Sequence, residues 1–114
     1  MPDNLYLQDL ISFANTLAEK SAEIIMPYFR NRFEVETKND NTPVTIADKK
    51  SEEKIRTLIN NKYPTHGIIG EEFEETNLES EFTWVIDPID GTRSFIAGHK
   101  DFGTLIALWP RKEK

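Results

Sequence analysis

Apolar residues recur at helical spacing from residue 4 to 31: Leu10, Phe13, Ala14, Leu17, Ala18, Ile24, Ile25 and Tyr28. Such a period places them on one face, so a long amphipathic helix is predicted, kinked or ended by Pro27. The period then changes. Residues 33 to 44 alternate weakly (Phe33, Val35, Thr37) and turn polar at Asn39-Asp40-Asn41, which predicts a strand or hairpin with a mobile tip. A second helix is predicted from about 46 to 63. Thr45 and Asp48 resemble an N-cap with an acidic first turn, Ile55, Leu58 and Ile59 supply an apolar stripe, and Pro64 ends it. Gly67 to Gly70 reads as a short strand, 72 to 82 as an acidic loop, 83 to 87 as a buried strand, and Phe102 to Trp109 as a last strand.

The order helix, hairpin, helix, strand, strand, strand predicts an α/β layered fold. The final strand runs straight into Pro110-Arg111-Lys112-Glu113-Lys114. A strand of that length normally pairs on both sides, so the 114 residues are expected to be part of a domain.

Composition narrows the function. Apolar residues make up 38%, enough for a core, and charged residues 30%. A net charge of −6 argues against a nucleic-acid surface, which needs a basic patch. Cysteine is absent, which removes disulfides and thiolate chemistry. Asp9, Asn15, Glu19 and Lys20 interrupt the N-terminal apolar stretch, so neither a signal peptide nor a membrane span is predicted, and a cytoplasmic location is expected.

The chemistry gathers at strand ends. Trp84-Val-Ile-Asp-Pro-Ile-Asp-Gly-Thr92 carries a short apolar run into Asp87 and then Asp90. Upstream, another apolar pair runs into Gly70-Glu71-Glu72. Carboxylates so placed suit hard cations such as Mg²⁺, and two such ions together serve phosphate ester hydrolysis. On this reading Asp87 bridges two cations, Asp90 reaches the second and Glu71 completes the first. Pro88 stiffens the connection, Gly91 lets backbone approach a phosphate, and Thr92 opens a helix whose free N–H groups favour an anion. Thr92 paired with Asp48 would activate an attacking water. The plainer alternative makes Asp87 and Asp90 turn formers around Pro88 and Gly91.

Thr42-Pro-Val-Thr-Ile-Ala-Asp48, Gly70-Glu-Glu72 and Trp84 to Thr92, in this order and spacing, resemble the inositol monophosphatase superfamily of Mg²⁺-dependent, lithium-sensitive phosphatases. The resemblance covers nearly the whole chain. Gly91-Thr-Arg-Ser-Phe-Ile-Ala-Gly98 and Phe102-Gly-Thr-Leu-Ile-Ala-Leu108 are most similar to its histidinol-phosphate phosphatase branch. The inositol monophosphatase branch usually has Thr-Asn-Phe where this chain has Arg93-Ser94-Phe95 after Gly-Thr.

The resemblance implies two long helices on a mostly antiparallel sheet. It implies Mg²⁺, two or three ions per complete site, and Li⁺ inhibition. Glu71, Asp87 and the Ile89 carbonyl would hold the first ion, and Asp87 with Asp90 the second. Asp90, Gly91 and Thr92 would meet the substrate phosphate, and Asp48, Glu71 and Thr92 would activate the water. Lys38 would belong to a lid. The partners implied are a small phosphorylated metabolite, with L-histidinol phosphate the first expectation and inositol phosphate the alternative, and a second copy in a homodimer; neither nucleic acid nor membrane is expected. Family chains are longer and supply a further ligand from a Trp-Asp motif, so residues 1–114 are expected to be the N-terminal portion of one domain. The isolated chain is then expected to bind Mg²⁺ weakly and turn over little substrate; the rival is a non-catalytic remnant.

Other signals carry less. Haloacid-dehalogenase phosphatases place a nucleophilic Asp where this chain has Pro88, and Asp101-Phe102-Gly103 lacks every other kinase motif. His66 reads as structural or solvated, His99 as a bland residue near the active-site turn, and Arg93 as either exposed or phosphate-facing. Trp84, Phe95 and Trp109 read as core. Glu74, Glu75, Glu79 and Glu81 read as a solvated loop face.

Overall fold

The computed structural model describes residues 4–30, 35–37, 43–98 and 103–110. Helix α1 spans Asn4–Ile25 and passes into a 3-10 turn at Met26–Tyr28. It ends earlier than the apolar period suggests because Pro27 has no N–H to continue the ladder. Its inner stripe is Leu10, Phe13, Leu17, Ser21 and Ile25, all buried; Ala18, expected on that stripe, is exposed.

Strands β1 (Val35–Thr37) and β2 (Pro43–Thr45) pair antiparallel, as the hairpin reading expects, and its tip lies outside the described residues. Helix α2 (Ile46–Lys62) follows at once. Thr45 accepts the Asp48 N–H and Asp48 accepts the Thr45 N–H, a complete capping box. Ala47, Ser51, Ile55 and Ile59, one turn apart, form its buried stripe. Where α1 and α2 cross, the Ser21 and Ser51 hydroxyls hydrogen-bond at 2.6 Å, so small residues let the helices approach without stranding a polar group.

Strands β3 (Gly67–Gly70), β4 (Phe82–Asp90) and β5 (Gly103–Pro110) form one sheet in that order. The β3–β4 pair is parallel and the β4–β5 pair antiparallel, so this sheet is mixed where a mostly antiparallel one is expected, and the β1–β2 hairpin stands apart as its own antiparallel pair. The helices cover one sheet face. Phe82, Trp84 and Ile86 interleave there with Leu10, Phe13, Leu17, Ile55 and Ile59, and Ile106 and Leu108 pack against them. Trp84 and Phe13 meet edge to face at 5.6 Å.

Trp109 departs from its predicted core position. It is 64% exposed, and Leu105 is 55% exposed. Both lie on the sheet face turned away from the helices, because β5 alternates and Ile106 and Leu108 take the inner side. A strand apolar on both faces reads as buried on both, and here only one face is covered.

His66 is structural, as expected. It accepts the Trp84 indole N–H at Nδ1 (3.0 Å), meets the Tyr6 hydroxyl at Nε2 (3.4 Å) and stacks on Tyr63 at 4.6 Å. The 72–82 segment is pinned rather than patternless, since Ile68 and Thr76 exchange both backbone hydrogen bonds at 2.9 Å. Its Glu74, Glu75, Glu79 and Glu81 are exposed, as the charge run predicts.

Candidate active site

The site grows from a fault in the β4–β5 ladder. Asp87 pairs with Leu105 but Asp90 pairs with Gly103, so β4 advances three residues while β5 advances two. This is a β-bulge, and it sits at Pro88, which has no N–H to give the ladder. The strand therefore runs to Asp90, past the Asp87 end expected from the apolar run. The Thr104 hydroxyl donates to the Pro88 carbonyl at 2.7 Å and holds the distortion. Gly103 and Leu105, two apart on β5, share a face, so their partners Asp90 and Asp87 share it too. Without the extra residue, carboxylates three apart would face opposite sides.

The chain then turns at Gly91, with φ 90° and ψ 44°, a left-handed conformation that glycine takes without penalty. Helix α3 (Thr92–Ile96) begins directly, as predicted, but has only five residues. What it offers an anion is individual amides rather than an appreciable dipole. Phe95, fully buried with Ile25, Ala47 and Ile89, ties α3 to the end of α1 and the start of α2.

That packing brings Thr92 to Asp48. The Thr92 hydroxyl lies 3.2 Å from Asp48 Oδ1 and 3.1 Å from the Ile89 carbonyl, either of which can accept its proton. Asp48 Oδ2 is already committed to the Thr45 N–H at 2.8 Å and to the Thr45 hydroxyl. Asp48 is 3% exposed, so its side chain is fixed by the same bonds that cap α2.

Glu71 is the first residue after β3. Since Gly70 pairs with Ile86 in parallel register, Glu71 falls beside Asp87 on the neighbouring strand. Asp87 is half-buried and its carboxyl is pushed up to about 6, by burial first and then by Glu71, Asp90, Asp48 and Glu72. Every charge named there is another carboxylate. The carboxylates of Glu71, Asp87 and Asp90 with the Ile89 carbonyl are the oxygen donors a hard divalent cation takes, and such an ion would relieve the repulsion on Asp87. The fit is one of chemistry and charge. Among the described residues no three carboxylate or imidazole groups are gathered tightly enough to hold a metal ion. Glu71 and Asp90 are exposed.

The structure thus joins Asp48, Thr92 and Ile89 directly, places Asp87 and Asp90 on one face, and brings Glu71 alongside. Gly91 makes the turn between them. Arg93 is exposed on α3, and Lys38 and His99 lie outside the described residues. Sequence reading passed over Glu52, fully buried on α2 one turn after Asp48. Its signal was Arg56 four residues on, a helical ion pair now seen at 2.9 Å.

The model of the Inositol monophosphatase family matches residues 6–114. The chain is 46% identical over 112 residues to the Bifunctional phosphatase IMPL2, chloroplastic, of Arabidopsis thaliana, covering 94% of this chain and 32% of that protein. It is 48% identical over 99 residues to a Histidinol-phosphatase of Chlorobaculum parvum, covering 86% and 38%. Among solved structures, an inositol monophosphatase from Zymomonas mobilis superposes with TM-score 0.72 at 43% identity, over 90% of this chain and 39% of that one. The chain therefore spans only 32 to 39% of the length of these relatives.

Proposed function

The chain belongs to the inositol monophosphatase family, and from that membership we propose that it carries the water-activating and cation-binding part of a phosphomonoesterase. The observation that carries the reading is the 3.2 Å contact between the Thr92 hydroxyl and Asp48, beside Asp87 and Asp90 on one sheet face. The substrate proposed is L-histidinol phosphate. Arg93-Ser94-Phe95 after Gly91-Thr92 supports it, as does the likeness to a protein named Histidinol-phosphatase. Inositol phosphate is the second reading, supported by the likeness to the Zymomonas mobilis protein.

Glu71, Asp87, Asp90 and the Ile89 carbonyl would hold Mg²⁺. Bound there, it would supply Lewis acidity and neutralise the phosphate's charge. The rest falls to the chain's own groups. Thr92 turns its hydroxyl proton toward Asp48 Oδ1, leaving a lone pair to accept a proton from water. The water oxygen attacks phosphorus and the ester P–O bond breaks; one water proton passes through Thr92 to Asp48 and on to solvent, the leaving alkoxide takes a proton from solvent, and the other water proton stays with inorganic phosphate. The amides of Gly91 and Thr92 steady the phosphate, and the fixed Asp48 sets the line of attack.

Phosphate release by the complete gene product, from L-histidinol phosphate and inositol 1-phosphate with Mg²⁺ present, tests both parts. Preference for the first supports the proposed substrate, and preference for the second replaces it. No release from either beyond that of Asp87→Asn sinks the phosphatase reading.

A further inference from the structure

We propose that Glu52 is a positioning residue for Glu71, holding the turn that carries it beside Asp87. The inference rests on reading Glu71 as a cation ligand. Glu52 is 0% exposed, yet both of its oxygens are engaged. Oε1 accepts the Glu72 N–H at 3.0 Å, and Oε2 accepts the Phe73 N–H at 3.0 Å and the Arg56 Nε–H at 2.9 Å. Arg56 reaches past it, donating to the Glu74 carbonyl at 2.7 Å and the Phe73 carbonyl at 3.0 Å. One ion pair, its carboxylate buried and its guanidinium partly exposed, therefore grips two amides and two carbonyls of residues 72–74.

Stability alone does not account for a buried carboxylate. An apolar side chain of similar shape is often as stabilising as a buried ion pair. What the carboxylate adds is direction. Its bond to the Glu72 N–H fixes the plane of the peptide joining Glu71 to Glu72, and with it the backbone angle that aims the Glu71 side chain. Gly70 shows how close the fit is, since a Cβ there would stand 2.5 Å from the Glu52 carboxyl. The strand can pass only because that residue has no side chain. Groups that orient ligands in this way change metal affinity by about 10- to 100-fold when removed.

The test is Glu52→Gln, with Glu53→Gln, an exposed neighbour with the same charge change, as control. Glutamine keeps the size but offers one acceptor oxygen, so one of the two amides loses its partner. Amide exchange at Glu72 and Phe73 is expected to accelerate relative to the core amides of Ile55 and Trp84. In a Mg²⁺ titration of the complete gene product followed at the amides of 71, 87 and 90, affinity is expected to fall about 10- to 100-fold while the protein remains folded. Wild-type exchange at 72 and 73, or wild-type Mg²⁺ affinity, overturns the proposal. So does an equal effect from Glu53→Gln. If Glu52→Gln does not fold, Arg56→Lys repeats the test, because it keeps the charge and loses the fork on the 73 and 74 carbonyls; wild-type values there also overturn it. A wild-type chain showing no Mg²⁺ response at 71, 87 or 90 removes the ligand reading instead, and the exchange rates at 72 and 73 then decide the positioning claim alone.

Discussion

Asp48 has two oxygens and the fold gives each a separate task. Oδ2 closes the α2 capping box with Thr45, and Oδ1 faces the Thr92 hydroxyl. The two tasks can be separated by substitution. Asp48→Asn presents a donor where one acceptor stood, so phosphate release by the complete gene product is expected to fall by about 10²- to 10⁴-fold. Thr45→Ala removes the cap but leaves Oδ1 toward Thr92. It is expected to cost about 1 kcal/mol in urea unfolding and less than about tenfold in turnover. Equal losses of turnover in the two variants would mean that Asp48 matters only as a cap. Gly91 offers a purely conformational test. At φ 90° any Cβ is strained, so Gly91→Ala is expected to destabilise by about 1–2 kcal/mol, seen as a lower melting temperature. Unchanged melting would show that the turn relaxes to negative φ.

Helix α2 organises the site because its inner flank alternates function with packing. Ala47, Ser51, Ile55 and Ile59 face α1 and the sheet, while Asp48 and Glu52, one turn apart, reach the start of α3 at Thr92 and the turn that carries Glu71. The capping role of Asp48 was legible from Thr-x-x-Asp, and Glu71, Asp87, Asp90 and Thr92 stood out because acidic groups and a hydroxyl follow apolar strands. The bulge was not legible. Pro88 marks an irregular ladder, but where β4 gains its extra residue depends on the register of β5, farther along the chain. Trp109 failed for a related reason, since alternation gives the faces of a strand and not what covers them. His66 carries a prediction at this scale, because it joins α1, the end of α2 and β4. Its Nδ1 accepts the Trp84 N–H, so protonation would set two donors against each other. Burial, the larger effect, lowers its pKa below the usual 6.5, and Glu81 opposes that. The unfolded chain therefore binds the proton first, and stability is lost as pH falls from about 6.5 toward the lower folded value. Urea midpoints should drop over that range in the wild type and flatten in His66→Asn; parallel curves for the two would refute the assignment.

At the scale of the molecule the chain keeps a destabilising charge. Burial first, and then the carboxylates around it, raise the pKa of half-buried Asp87 to about 6, so its ionised form at neutral pH works against folding. No described helix is long and apolar enough to cross a membrane, and the described residues gather no three-ligand metal group. With the matched relatives covered to only 32% and 38% of their length, Mg²⁺ binding by these 114 residues should be weak. If Kd is near 10 mM, then 10 mM Mg²⁺ stabilises by only RT ln 2, about 0.4 kcal/mol, or roughly 2–3 °C in melting temperature. Asp87→Asn separates the two roles. It removes the repelled charge, so the variant should melt higher than the wild type without Mg²⁺. It also removes a ligand, so the melting temperature should no longer respond to Mg²⁺. A variant that melts lower would show that the Asp87 carboxylate supports the fold. A variant that still responds to Mg²⁺ like the wild type would place the cation elsewhere. Only the combined result, greater stability with the response lost, fits a residue retained for its chemistry at the expense of the fold.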